Sequence, residues 1–375
     1  MSKRSIFEDV GENASAPAAT PGVVAAAAPD KSGVLAWLWT LAALVVVMVV
    51  VGGLTRLTDS GLSITEWNVV IGALPPLSAA DWDAAFEAYK TTDEYKLQNN
   101  WMTLADFKPI FWWEWGHRFL GRLIGLVWAL PLVYFAVRKR IPRGWGFKLL
   151  LLGLLGGLQG AIGWWMVYSG LSARVDVAPY RLMVHLGIAF LIFALICWYI
   201  VKLRREDWAL LQARRRRDRR VFAWGVAAVT LIFVQILLGA LVAGTDGWAG
   251  WNTWPLMDGD FIAPEAFEMA PFWSNFFENP AMTQFVHRTF AALVLIGAIV
   301  FALKARATGH RAMKFWATFL LIGVLAQAIY GVLTLLWAAP VEIAIFHQLG
   351  ALALLALALR AKFEAAYPSE QKISA

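Results

Sequence analysis

Five histidines occur in this chain, and four of them, His117, His185, His287 and His347, sit at the start of long apolar runs. The fifth, His310, falls in a polar connection. A histidine in a membrane-crossing segment is costly and marks a functional site by default. Two parallel helices that each offer one imidazole at similar depth supply the axial ligands of a heme standing between them. A tetrahedral zinc site would ask for three or four close ligands, which this sequence supplies less readily, and packing histidines are the other competing reading. Placement in the first turn or two of each helix also favours the neutral, iron-binding imidazole. Arg118, Arg122, Arg181 and Arg288 lie beside the histidines, where they could pair with heme propionates or snorkel to the interface. Glu114 precedes His117 by three residues and shares its helical face, whereas Gln284 stands at the matching place before His287. A carboxylate can take or deliver protons and an amide cannot, so reaction chemistry is assigned to the His117 and His185 pair, with Glu114 as acid or base. The alternative is that Glu114 complements a helix dipole.

The elements that position these residues are membrane helices. The chain has 375 residues, 59% of them hydrophobic and only 16% charged, too apolar for an ordinary soluble domain. Runs long enough to cross ~30 Å of hydrocarbon cover about 34–54, 118–137, 149–169, 182–202, 221–244, 286–303, 314–337 and 341–359. Lys and Arg gather in alternate connections, including the run from Arg214 to Arg220, while residues 245–284 have none. The positive-inside rule then makes both termini cytoplasmic, and the net charge of +7 is read as a topology anchor on anionic lipid, not as a nucleic-acid surface. The single cysteine, Cys197, permits no internal disulfide.

Four local matches recur in the same order, which indicates a tandem repeat. Leu54–Asp59 parallels Leu241–Asp246, and His117-Arg118 parallels His287-Arg288. Gln159–Gly163 parallels Gln327–Gly331, and His185-Leu186-Gly187 parallels His347–Gly350. The expected fold is an all-α polytopic membrane protein of eight transmembrane helices in two pseudo-symmetric four-helix bundles. Its parts are a disordered tail over 1–33, bundles over 34–202 and 221–360, a basic linker over 203–220 and a tail over 361–375. Ser78 and Asp81 make a capping-box pattern in the first long loop, with Trp82, Phe86 and Tyr89 on one helical face. Trp248, Trp251, Trp254 and Trp273 in the second long loop read as interfacial anchors.

The sequence resembles the heme A synthase family of mitochondria and alpha-proteobacteria over nearly all of residues 35–360. The motifs that carry the likeness are Gly52–Thr58 running into Ser60–Ile64, then Glu114-Trp115-Gly116-His117-Arg118, and the later histidines in order. The resemblance implies oxidation of the C8 methyl of heme O to a formyl group, giving heme A for cytochrome c oxidase, by successive hydroxylations through an alcohol and a gem-diol. It implies heme b as cofactor on His287 and His347, heme O as substrate on His117 and His185, and Glu114 as acid or base. Implied partners are heme O synthase, an electron donor and membrane lipid. The cysteine pair that some bacterial members carry in the first loop is absent from residues 55–116, so any redox role of that pair is absent too. Glu8, Asp9 and Glu12 argue against an acid-poor transit peptide, which favours a bacterial inner membrane. Two rival readings stay open: a heme-handling transporter or chaperone, and a diheme electron-transfer protein linked to quinone.

Overall fold

The computed structural model describes residues 31–68, 71–172 and 175–370, so the expected tail over 1–33 lies almost wholly outside the described residues. Among these, every extended element is helical, in the order α1 (Ser32–Leu57), α2 (Ala79–Lys90), α3 (Leu104–Val137), α4 (Gly146–Ser172), α5 (Pro179–Leu203), α6 (Asp207–Arg215), α7 (Arg219–Gly244), the single turn α8 (Asn275–Glu278), α9 (Pro280–Ala307), α10 (Arg311–Leu336) and α11 (Val341–Ala366). Without α2, α6 and α8, eight helices of 25 to 34 residues remain, each apolar enough to cross a membrane. At about 1.5 Å per residue the shortest spans roughly 38 Å, so the helix ends protrude beyond the hydrocarbon and need caps of their own. Asp218 accepts from the amides of Arg220 and Val221 to start α7. Asn279 accepts from Met282 N, with Pro280 at the first position of α9. The odd histidine, His310, caps α10 by accepting from Met313 N, and its Nε2 meets Ser369 O at 2.7 Å.

Helices α1, α3, α4 and α5 pack around one another, as do α7, α9, α10 and α11, and the two groups meet where α1 and α5 lie against α7 and α11. One continuous core joins them, with Leu38, Phe190, Ile200, Phe301, Leu320 and Leu355 fully buried. The α5 and α7 backbones approach closely: a Cβ on Gly187 would stand 2.6 Å from Leu237, and one on Gly244 would stand 2.8 Å from Pro179 Cα. Arg56 at the end of α1 clamps Asp246 beyond α7 through two 2.8 Å hydrogen bonds. Two of the repeated segments therefore touch.

Helix α3 begins at Leu104, thirteen residues ahead of His117 and well before the expected span start at 118. The capping box of Thr103 with Asp106 sets this start, and Phe107, Ile110 and Phe111 bury the extra turns against Phe86 and Tyr89 of α2. His117 is thus not in the first turns of its helix, and the helix-dipole argument for its neutrality does not apply. His185, His287 and His347 do lie in the second turn of α5, α9 and α11. At the opposite end, α11 runs past 360 to Ala366, with Phe363 and Glu364 buried and Glu364 paired to Arg360 at 2.6 Å. The linker over 203–220 contains α6, capped off by Arg216, which pairs with Glu370.

Candidate functional site

Each of the four helix histidines rests against a glycine of a neighbouring helix. An added Cβ would stand 2.8 Å from His117 Cε1 at Gly52 of α1, 3.1 Å from His185 Cε1 at Gly163 of α4, and 3.0 Å from the Cε1 atoms of His287 and His347 at Gly239 of α7 and Gly331 of α10. All four separations are shorter than the ordinary carbon contact of about 3.5–4.0 Å. The glycines are therefore the slots that admit the imidazoles. In the sequence Gly52, Gly163 and Gly331 stand inside longer motifs that give no sign of this role, and Gly239 lies just outside them.

The His117 and His185 rings come together with centroids 6.5 Å apart and planes at 38°. Two imidazole nitrogens each about 2 Å from one metal place their ring centres roughly 6 to 6.5 Å apart, so this pair fits a shared iron. The Nδ1 atoms of both rings are buried without a partner. One turn before each slot glycine the repeat places Gln159, Gln235 and Gln327, but Met48 before Gly52. The Gln235 amide lies 3.1 Å from His287 Nδ1 and donates to His287 O at 3.0 Å. The Gln327 amide lies 3.2 Å from His347 Nδ1 and donates to His347 O at 2.8 Å. Such outer partners fix the orientation of a ligating ring. Neither histidine of the first pair has an equivalent hydrogen bond among the described residues, and the Gln159 side-chain oxygen is itself buried without a partner. No cluster of three or more His, Cys, Asp or Glu fit for a metal occurs among the described residues.

Glu114 is 3% exposed and turns toward the loop after α1. Its Oε2 accepts from Ser63 Oγ at 2.7 Å and Ile64 N at 2.6 Å, and its Oε1 accepts from Arg118. Arg118 also donates to Ile64 O and Glu66 O and lies over the Trp67 ring. Gln284 repeats the placement with reversed polarity: its Nε2 donates to Gly247 O at 2.6 Å and Gly250 O at 2.8 Å. The contrast between Glu114 and Gln284 thus matches what each loop offers, donors in the first half and carbonyls in the second.

The remaining arginines also hold carbonyls on the histidine side of the bundle. Arg122 donates to Asn68 O at 2.9 Å, Arg288 to Trp251 O at 2.5 Å, and Arg181 to Trp165 O at 2.6 Å with its guanidinium stacked over that indole. Arg118 and Arg122 line a small cleft with Ile64, Glu66, Asn68 and Gly72. Arg181 Nε and Arg288 Nε are buried without a partner, so both retain a donor.

The chain also matches known proteins over nearly its whole length. Residues 35–359 match the COX15-CtaA family, described as cytochrome oxidase assembly protein. The chain is 51% identical to the heme A synthase of Ruegeria pomeroyi over 98% of both chains. It is 51% identical to that of Dinoroseobacter shibae over 98% of this chain and 97% of the relative, and 47% identical to that of Paracoccus denitrificans over 100% and 99%. With eight membrane-length helices and bacterial relatives of this kind, it is a multi-pass protein of the bacterial inner membrane. The match runs from end to end of the membrane helices, and the chain belongs to the COX15-CtaA family of cytochrome oxidase assembly proteins.

Proposed function

We propose that this protein oxidises the C8 methyl group of heme O to a formyl group, producing heme A. The observation that carries the reading is the His117 and His185 pair at 6.5 Å, which fits the iron of the substrate heme, joined to relatives named heme A synthase that cover the whole chain. The route the family resemblance implies is successive hydroxylation of that methyl through an alcohol to a gem-diol, whose loss of water leaves the aldehyde; the oxidant and the oxygen atoms come from outside this chain. His117 and His185 orient the substrate. Glu114, three residues before His117 on α3, is the acid or base. Arg118, Arg122, Arg181 and Arg288 offer guanidinium donors to propionates.

His287 and His347 would hold heme b, which supplies one-electron transfer when bound. The Gln235 and Gln327 amides support this assignment, since they hold the orientation of the His287 and His347 rings and the first pair has no such partners among the described residues. The first four-helix group, 34–202, then binds substrate and the second, 221–360, keeps the cofactor. The histidine side faces outward and both termini face the cytoplasm, because Lys31, Arg205 and Arg216 lie together on the other side, paired to Glu206, Tyr367 O and Glu370.

The near equivalence of the four histidine slots also suits a diheme electron carrier. Expressing the chain with a source of heme O and identifying extracted pigments by chromatography and mass separates the two. Hydroxymethyl or formyl heme is the expected product; its absence, with two unmodified hemes per chain, would establish the carrier instead.

A further inference from the structure

The two four-helix groups differ where α3 faces α4. Trp128 of α3 closes the cytoplasmic end of that seam: its ring covers Gly153, and its Nε1 donates to Leu149 O at 3.0 Å. At the histidine end the His185 ring rests on Gly163, with its Nδ1 buried and without a partner. Between these points stand Gly156 and Gly160, seven and three residues before Gly163 and so on its side of α4. A Cβ on either, or on Gly125 of α3, would meet nothing within 4 Å, and all three residues are exposed. From Gly156 to Gly163 the open stretch runs about 10 Å along the helix. Glycines in a membrane helix ordinarily let a neighbouring helix approach. Gly153 has that role under Trp128, whereas Gly125, Gly156 and Gly160 leave a groove.

The second group fills the same positions. In the register that aligns His117 with His287 and Gly163 with Gly331, Gly125 is replaced by Leu295, Gly156 by Val324 and Gly160 by Ala328. Val324 is 3% exposed, Leu295 packs on the shared core, and α9 lies against α10 more extensively than α3 against α4. Resting on the heme-oxidation reading above, we propose that the groove between α3 and α4 receives the isoprenoid tail of heme O. That tail, in place of a vinyl group, is what distinguishes heme O from heme b, so a protein that holds both must sort them by it. The groove is apolar, starts at the slot of a histidine assigned to the substrate iron, and opens sideways to lipid. Lipid is as apolar as the groove, so burying the tail gains little by itself. Discrimination comes from exclusion, with Leu295 and Val324 occupying in the second group the space that the tail needs.

The test titrates the full-length protein, carrying its resident heme, with heme O and separately with heme b, and reads the absorption change that His117→Ala abolishes. The wild type should bind heme O more tightly than heme b at this pair. Gly156→Val and Gly125→Leu put the second group's side chains into the groove. Each should weaken heme O binding about 5- to 150-fold, the cost of overpacking, while heme b binding and resident heme content stay at the wild-type level. Resident heme shows that a variant is folded; should either variant lose it, Gly160→Ala, a smaller change in the same groove, is expected to give a smaller loss in the same direction. A wild type that binds the two hemes alike overturns the proposal, as do variants that lose both hemes equally. Variants that bind heme O as the wild type does also overturn it and leave the groove to lipid acyl chains. A wild type that prefers heme O yet forms no oxidised heme overturns the reaction and leaves the groove standing. Absence of any His117-dependent binding overturns both.

Discussion

Replacing Gly239 by alanine tests the slot argument most directly. The new Cβ would stand 3.0 Å from His287 Cε1, whereas carbon atoms in ordinary contact are about 3.5–4.0 Å apart. The ring must retreat by roughly half an ångström, the edge of what a working ligand set tolerates. Overpacking of this kind costs about 1–3 kcal/mol, and each ~1.4 kcal/mol is tenfold, so heme affinity at that pair should fall about 5- to 150-fold. Alanine is a better helix former than glycine by about 1 kcal/mol, so α7 itself is not weakened. The assay is heme per purified chain, with the absorption spectrum, for Gly239→Ala beside Gly156→Ala on α4, where an added Cβ meets nothing within 4 Å. A Gly239→Ala protein with full heme and an unshifted spectrum would refute the slot.

Two further substitutions separate reaction from scaffold. Glu114→Gln should lower heme A output by about a hundredfold or more while heme bound in the second half stays, because its donors, Ser63, Ile64 and Arg118, all belong to the first half; pigment analysis of the purified variant checks both. His310→Ala removes a helix cap worth about 1 kcal/mol and should lower the thermal midpoint with heme content and product unchanged, since His310 binds Met313 N and Ser369 O.

The eight spans were legible because a membrane demands uninterrupted apolar length, a signal local in the sequence. The start of α3 was not, since Asp106, Lys108 and Glu114 make residues 104–116 read as loop, although Phe107, Ile110 and Phe111 already carry helical spacing. The paired histidines were legible as a repeat. Their glycine slots were not, because Gly52 and His117 meet only when α1 packs on α3. Glu114 was singled out for its nearness to His117, yet its partners Ser63 and Ile64 lie about fifty residues earlier.

The polarity of the two loops argues that chemistry in this fold was not divided by changing one side chain. At the second-half position, Gln284→Glu would set a carboxylate against the carbonyls of Gly247 and Gly250, which now accept from the amide at 2.6 and 2.8 Å. Gln284 is 3% exposed, so the new charge would be buried and unpaired, a situation that costs about 3–5 kcal/mol where it is measured by breaking buried pairs. The expected result is a lower thermal midpoint and loss of heme from the second half, with no second reacting site gained. A Gln284→Glu protein as stable as wild type would show that loop 247–250 readily turns donors inward. The loop-bound arrangement of Glu114 would then be a consequence of that residue and not a property built into residues 60–64.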